Sequence, residues 1–147
     1  MNRRIDNRDI DIFRGFQKRH GTTHRGQGLG AASTELEFLA FPLGLWLARN
    51  DGEITSLEPV VNSLAKLANQ SKDPVYLEQL CLQIGELVEA VSPSISEELN
   101  RANLARPWRV LLFNWGIVAT RSLRPSLMRD AFDRLLEHLP EDASGFF

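Results

Sequence analysis

Little in this sequence looks like chemistry. Cys81 is the single cysteine of a 147-residue chain. A lone thiol closes no internal disulfide, so a reducing compartment is expected, with the cytoplasm as the simplest choice. Cys81 also falls on an apolar helical face, where it is expected to pack as a small hydrophobe. Histidine is nearly as scarce, and the three copies assemble with no coherent triad. No apolar run is long enough to cross a bilayer. The longest, FLAFPLGLWLA at 38–48, is eleven residues and is interrupted by Pro42 and Gly44. The opening MNRRIDNRDIDIF shows no secretory h-region, and Asp6, Asp9 and Asp11 argue against a transit peptide. Alternating β-branched runs are missing too, which removes the case for a sheet.

What is present has globular proportions: 43% hydrophobic and 24% charged residues, values at which disorder of the whole chain is not expected. The length suits one domain with a core of its own. A net charge of −2 conceals a division along the chain. Residues 1–30 carry seven basic groups against three aspartates, a net +4. Residues 31–105 hold four basic and eleven acidic groups, a net −7, and residues 106–147 come to +1. A basic arm therefore precedes an acidic middle. Such an arm lies against the acidic surface of its own domain or of a second copy, or it meets an acidic partner such as nucleic acid. Acids interleave the arm and it has no lysine-rich run, so nucleic acid is the less favoured partner.

After residue 33 the apolar spacing is helical. Thr34–Glu37 forms a candidate capping box before an apolar helix from Leu36 to Ala48, with a kink near Phe38, whose carbonyl loses its usual donor to Pro42. Leu57, Val60, Val61, Leu64, Leu67 and Ala68 trace a second face behind a candidate capping box at Thr55–Glu58. Asp73 and Pro74 start a third helix, with Leu77, Leu80, Cys81, Ile84, Leu87, Val88 and Val91 on its face. Ser92 and Pro93 end it and begin a shorter one through Leu99 and Leu104. Pro107 then opens a helix apolar nearly all round. Trp108, Leu111, Leu112, Trp115, Val118 and Ala119 form one stripe of it, while Val110, Phe113 and Ile117 cover much of the other side. The last helix runs to Leu139 and stops before Pro140, with Arg129–Asp133 and Asp130–Arg134 spaced as ion pairs on its exposed side. The expected fold is all-α: a compact single-domain bundle of about six helices over 33–147, preceded by a basic arm and glycine-rich hinge over 1–32. A short helical-hairpin solenoid is the alternative, disfavoured by unequal spacing and by the missing tetratricopeptide pattern.

The stretch HGTTHRGQGLGAAS at 20–33 is the nearest thing to a motif. GTTHRG has the spacing of a phosphate-binding loop, but Gln27 and Gly28 stand where lysine and Ser/Thr are needed. A hinge is the plainer reading. His20 and His24 are weak metal candidates, since a site needs a third ligand from elsewhere, and solvated loop histidines are the plainer reading. No cofactor is expected. Asn114, between Phe113 and Trp115, is a buried-amide candidate that either bonds structurally or anchors a ligand. The arginines 106, 109, 121 and 124 bracket its helix. The terminal pair Phe146–Phe147 either docks on the bundle or another protomer, or precedes a further segment.

The function these features favour is a non-enzymatic helical binding protein, self-associating as a homodimer or meeting a protein partner, and not a membrane protein. Trp46, Trp108, Trp115 or Phe146–Phe147 would make the contact. The second reading is nucleic-acid or acidic-ligand binding through the arm, with Arg14, Lys18, Arg19 and Arg25 as contacts. The third is a metal- or small-molecule-dependent enzyme or sensor near His20, His24 and Asn114.

Overall fold

The computed structural model describes residues 35–97, 103 and 105–146, leaving aside the side chain of Phe146. The fold is all-α. Its helices are α1 (Ala40–Arg49), α2 (Glu58–Gln70), α3 (Pro74–Glu89), α4 (Pro93–Ser96), α5 (Pro107–Arg121), α6 (Pro125–His138) and α7 (Pro140–Phe146). Among the described residues seven such helices stand where about six were expected over 33–147, the addition being α7. Pro140 ends α6, as its ring requires, and also opens the next turn, where a missing N–H costs nothing. Each of these helices holds one proline within its first turn, and this uses all seven prolines of the chain. No described helix is long and apolar enough to cross a membrane.

α3 and α5 form the centre. α5 packs on α2, α3 and α6, and α3 additionally meets α1 and α6. The anticipated stripe of α5 is buried along its whole length, from Trp108 at 4% exposure to Leu111, Leu112 and Ala119 at 0%. It meets Leu77, Cys81, Ile84 and Val88 of α3 and Val60, Val61 and Leu64 of α2 in one core. Close approach of α3 to α5 depends on Gly85, where an added Cβ would lie 3.3 Å from Cζ2 of Trp115. Gly44 allows the same approach of α1, with Leu87 Cδ1 at 3.3 Å from an added Cβ.

Several helix ends follow from local sequence and several do not. Asp73 caps α3 by accepting from the Val75 N–H at 3.0 Å. The capping box expected at Thr55–Glu58 does not form: Leu57 occupies the cap position of α2 and no side chain caps it. Ile54 is instead held in a parallel bridge, donating to Ala90 O at 2.8 Å while its own carbonyl accepts from Ser92 at 3.0 Å. The end of α2 is closed from a distance. Arg121, in the last turn of α5, donates to Ala68 O at 2.9 Å and Ser71 O at 2.7 Å. These carbonyls lack helical donors, and a guanidinium is suited to such a place.

The first helix is not continuous from Leu36. The chain is helical over 35–37, turns at Phe38 and Leu39, and resumes as α1. The break sits where Pro42 withdraws the donor for Phe38 O, as expected. The fully buried Ser63 hydroxyl of α2 replaces that donor at 2.9 Å and accepts from the Phe41 N–H at 3.1 Å. The continuation of α4 to Leu104 and the Thr34–Glu37 box reach outside the described residues, and α4 itself ends at Ser96. The two ion pairs expected within α6 are replaced: Arg134 reaches Glu89 of α3 and also pairs with Glu137 one turn on, and Arg124 pairs with Glu78 at 2.8 Å.

Candidate interaction surface

Of the residues singled out in the sequence, Arg14, Lys18, Arg19, Arg25, His20, His24 and Phe147 lie outside the described residues, as does the side chain of Phe146. The rest do not gather in one place. Trp115 is 6% exposed and lies against Gly85. Cys81 is 1% exposed. Burial pushes its thiol up to about 11, against a downward pull from Trp115 and a further rise from the Asp130 carboxylate. A thiol kept protonated in the core is a poor nucleophile. Trp108 meets the ring of His138 edge-on at 5.2 Å, joining the start of α5 to the end of α6.

Asn114 is half-buried, and its amide has no hydrogen bond to the described residues. The arginines around α5 are spent inside the fold. Arg109 grips Asp142 of α7 at 3.1 and 3.2 Å and lies 4.4 Å over the Phe113 ring. Arg121 closes α2, Arg124 holds Glu78, and Arg106 is 4% exposed. They form no shared basic rim. Among the described residues no three His, Cys, Asp or Glu side chains come together as metal ligands.

A groove of about 310 Å³ lies between α2 and the start of α5, lined by Glu58, Val61, Asn62, Asn103, Ala105, Pro107 and Val110. It mixes one carboxylate and two amides with small apolar groups, and no described side chain in it is arranged for bond chemistry.

The surface feature with most physical content is α1. Its sequence, AFPLGLWLAR, has no charge before Arg49. Phe41, Gly44, Leu45 and Leu47 face inward. Leu39, Pro42, Leu43 and Trp46 are spaced at three, four and seven residues and so share the other side. Leu39 is 43% and Trp46 46% exposed, Pro42 is exposed and Leu43 half-buried. An apolar strip of this kind on a helix gains free energy by leaving water, at about 25 cal/mol per Å². Arg49, at its end, is held by Glu86 through two bonds of 2.7 and 2.9 Å. The signal was present in the sequence as a helix apolar on every side. What periodicity could not tell was which of its two apolar sides faces the core.

No protein-family model, curated protein or solved structure matches this chain.

Proposed function

We propose that this chain is a non-enzymatic helical interaction protein of the cytoplasm, and that it self-associates by laying the outer face of α1 against the same face of a second copy. The observation that carries the reading is Trp46, a large aromatic left 46% exposed at the C-terminal end of an uncharged strip. Trp108 and Trp115 belong to the core, which leaves Trp46 as the anchor among the three tryptophans. The strip suits a copy of itself because a two-fold contact presents the same patch from both sides, so an apolar strip meets an apolar strip. A face with like charges would repel itself; this one carries none between Leu39 and Ala48.

Light-scattering molar mass on a sizing column tests it, comparing the parent with Trp46→Glu at low and high salt. The expected result is a parent dimer that persists in high salt and a monomeric variant with unchanged thermal unfolding. A variant that keeps the dimer mass removes α1 as the contact. The +4 arm favours nucleic acid as a second reading, with Arg14, Lys18, Arg19 and Arg25 on phosphates. It predicts a monomer that carries 260-nm-absorbing material at low salt and releases it at high salt.

A further inference from the structure

Two asparagines beside the groove between α2 and α5 have no hydrogen bond to the described residues. The two helices run side by side in the same direction. Glu58 and Pro107, in their first turns, both line the groove, and Arg121 from the last turn of α5 closes the end of α2. Val110, Asn114 and Arg121 are four and seven residues apart and so share one side of α5. Val110 lines the groove and Arg121 meets α2, so Asn114 lies on the α2 side as well, one turn beyond Val110. Asn62, exposed on α2, stands on the facing wall. The amides of Asn62 and Asn114 are the unbonded pair. Asn103 differs, because its side-chain carbonyl already accepts from the Ala105 N–H at 3.0 Å.

An asparagine amide presents a donor and an acceptor together, which is what one peptide group requires. A helical ligand has used those groups internally, whereas an extended chain still offers them. The rest of the lining narrows the ligand further. Val61, Pro107 and Val110 supply small apolar contacts, and no described aromatic ring is there for a nucleobase to stack on. The volume of about 310 Å³ is at the low end for ligand clefts, about 300–1,000 Å³, which suits small side chains. Glu58 is the single charged group in the described lining, and no described residue pairs with it. A basic group on the ligand complements it.

We infer that this groove binds an extended peptide segment of small uncharged residues with a basic residue at one end. Asn62 and Asn114 pair its peptide groups, and Glu58 meets the base. The site does not depend on self-association. Ser63, next to Asn62, bonds Phe38 and Phe41 on the α1 side, so α2 stands between the groove and the outer face of α1.

The test uses full-length protein labelled with nitrogen-15 and a pool of acetylated, amidated hexapeptides. Each has lysine at one end or the other and five positions drawn from Gly, Ala, Ser and Val. The side-chain amide signals of Asn62 and Asn114 are followed by NMR up to millimolar peptide, and both are expected to shift. Asn62→Ala and Glu58→Gln should each weaken binding about three- to tenfold. Both positions are exposed, so the fold persists, which unchanged signals from α3 and α6 will show. A pool methylated on its backbone nitrogens cannot donate and should not bind, and a pool with glutamate for lysine should bind more weakly. Equal binding of either control pool overturns the inference. So does the absence of a shift at Asn62 and Asn114, or a shift caused by adenosine and not by the peptides.

Discussion

The hydroxyl of Ser63 in α2 donates to the carbonyl of Phe38 at 2.9 Å, across 25 positions of sequence. It supplies the hydrogen bond that Pro42 withholds four residues after Phe38, and it also accepts from the Phe41 N–H at 3.1 Å. One buried side chain thus satisfies two backbone groups at a proline-induced break.

Ser63→Ala leaves both groups unbonded in the core. Each such group costs about 1–3 kcal/mol, so a loss of roughly 2–6 kcal/mol is expected in urea unfolding, seen as a lower midpoint with an unchanged slope. Pro42→Ala returns an N–H within reach of Phe38 O. In that background the serine substitution should cost measurably less, and strictly additive losses would show that proline and serine are not coupled.

Leu123 takes φ 58°, with its side chain 70% exposed, at the turn between α5 and α6. The left-handed region costs a leucine about 1 kcal/mol relative to glycine, and this leucine recovers little of that by burial. Leu123→Gly should therefore raise stability by about 0.5–1 kcal/mol, read as an increase in the thermal midpoint. Asp51 has φ 57° in the turn after α1. Aspartate tolerates that region, so Asp51→Gly should gain less than Leu123→Gly. The reverse order would mean that the Leu123 side chain supports the turn.

The Cys81 thiol is raised to about 11 by burial. An unfolded cysteine ionises near 8.5, so below that pH both states hold the proton and the contribution of the buried thiol is complete. Above it the unfolded chain loses its proton first, and stability falls as pH rises from about 8.5 to 11. Urea midpoints across that range should decline more steeply in the parent than in Cys81→Ala. Matching slopes would place the decline in other groups. At pH 8 a thiol reagent should label the protein only on unfolding.

Helix starts were the most legible part of this fold. Asp73 and Pro74 carry their meaning within two residues, and the inner face of α5 shows in its own spacing. The break at Phe38 could also be read, because a proline acts on a known carbonyl. Its remedy could not, since Ser63 lies on another helix and nothing local marks a serine as a partner. The same limit applies to Arg121 at the end of α2 and to Arg134, whose local spacing points to Asp130 while the packed helices offer Glu89. Thr55 misled for a related reason: its neighbour Ile54 is drawn into the bridge with Val91, and α2 starts later than a capping box would place it. Pro140 has two readings, stop and start, and both apply.

The placement of proline has a bearing on how this chain can change over generations. With one ring in the opening turn of each of α1 to α7, each of these helices is fixed where it begins. Residues can be gained or lost at a tail without shifting the inward side chains that precede them, whereas an insertion after the ring rotates every following side chain by about 100° and turns core to solvent. Length variation among descendants of this sequence should therefore be rare in the first turns, and rare too just after Gln70 and Glu89, where Arg121 and the Ile54–Val91 bridge hold the chain.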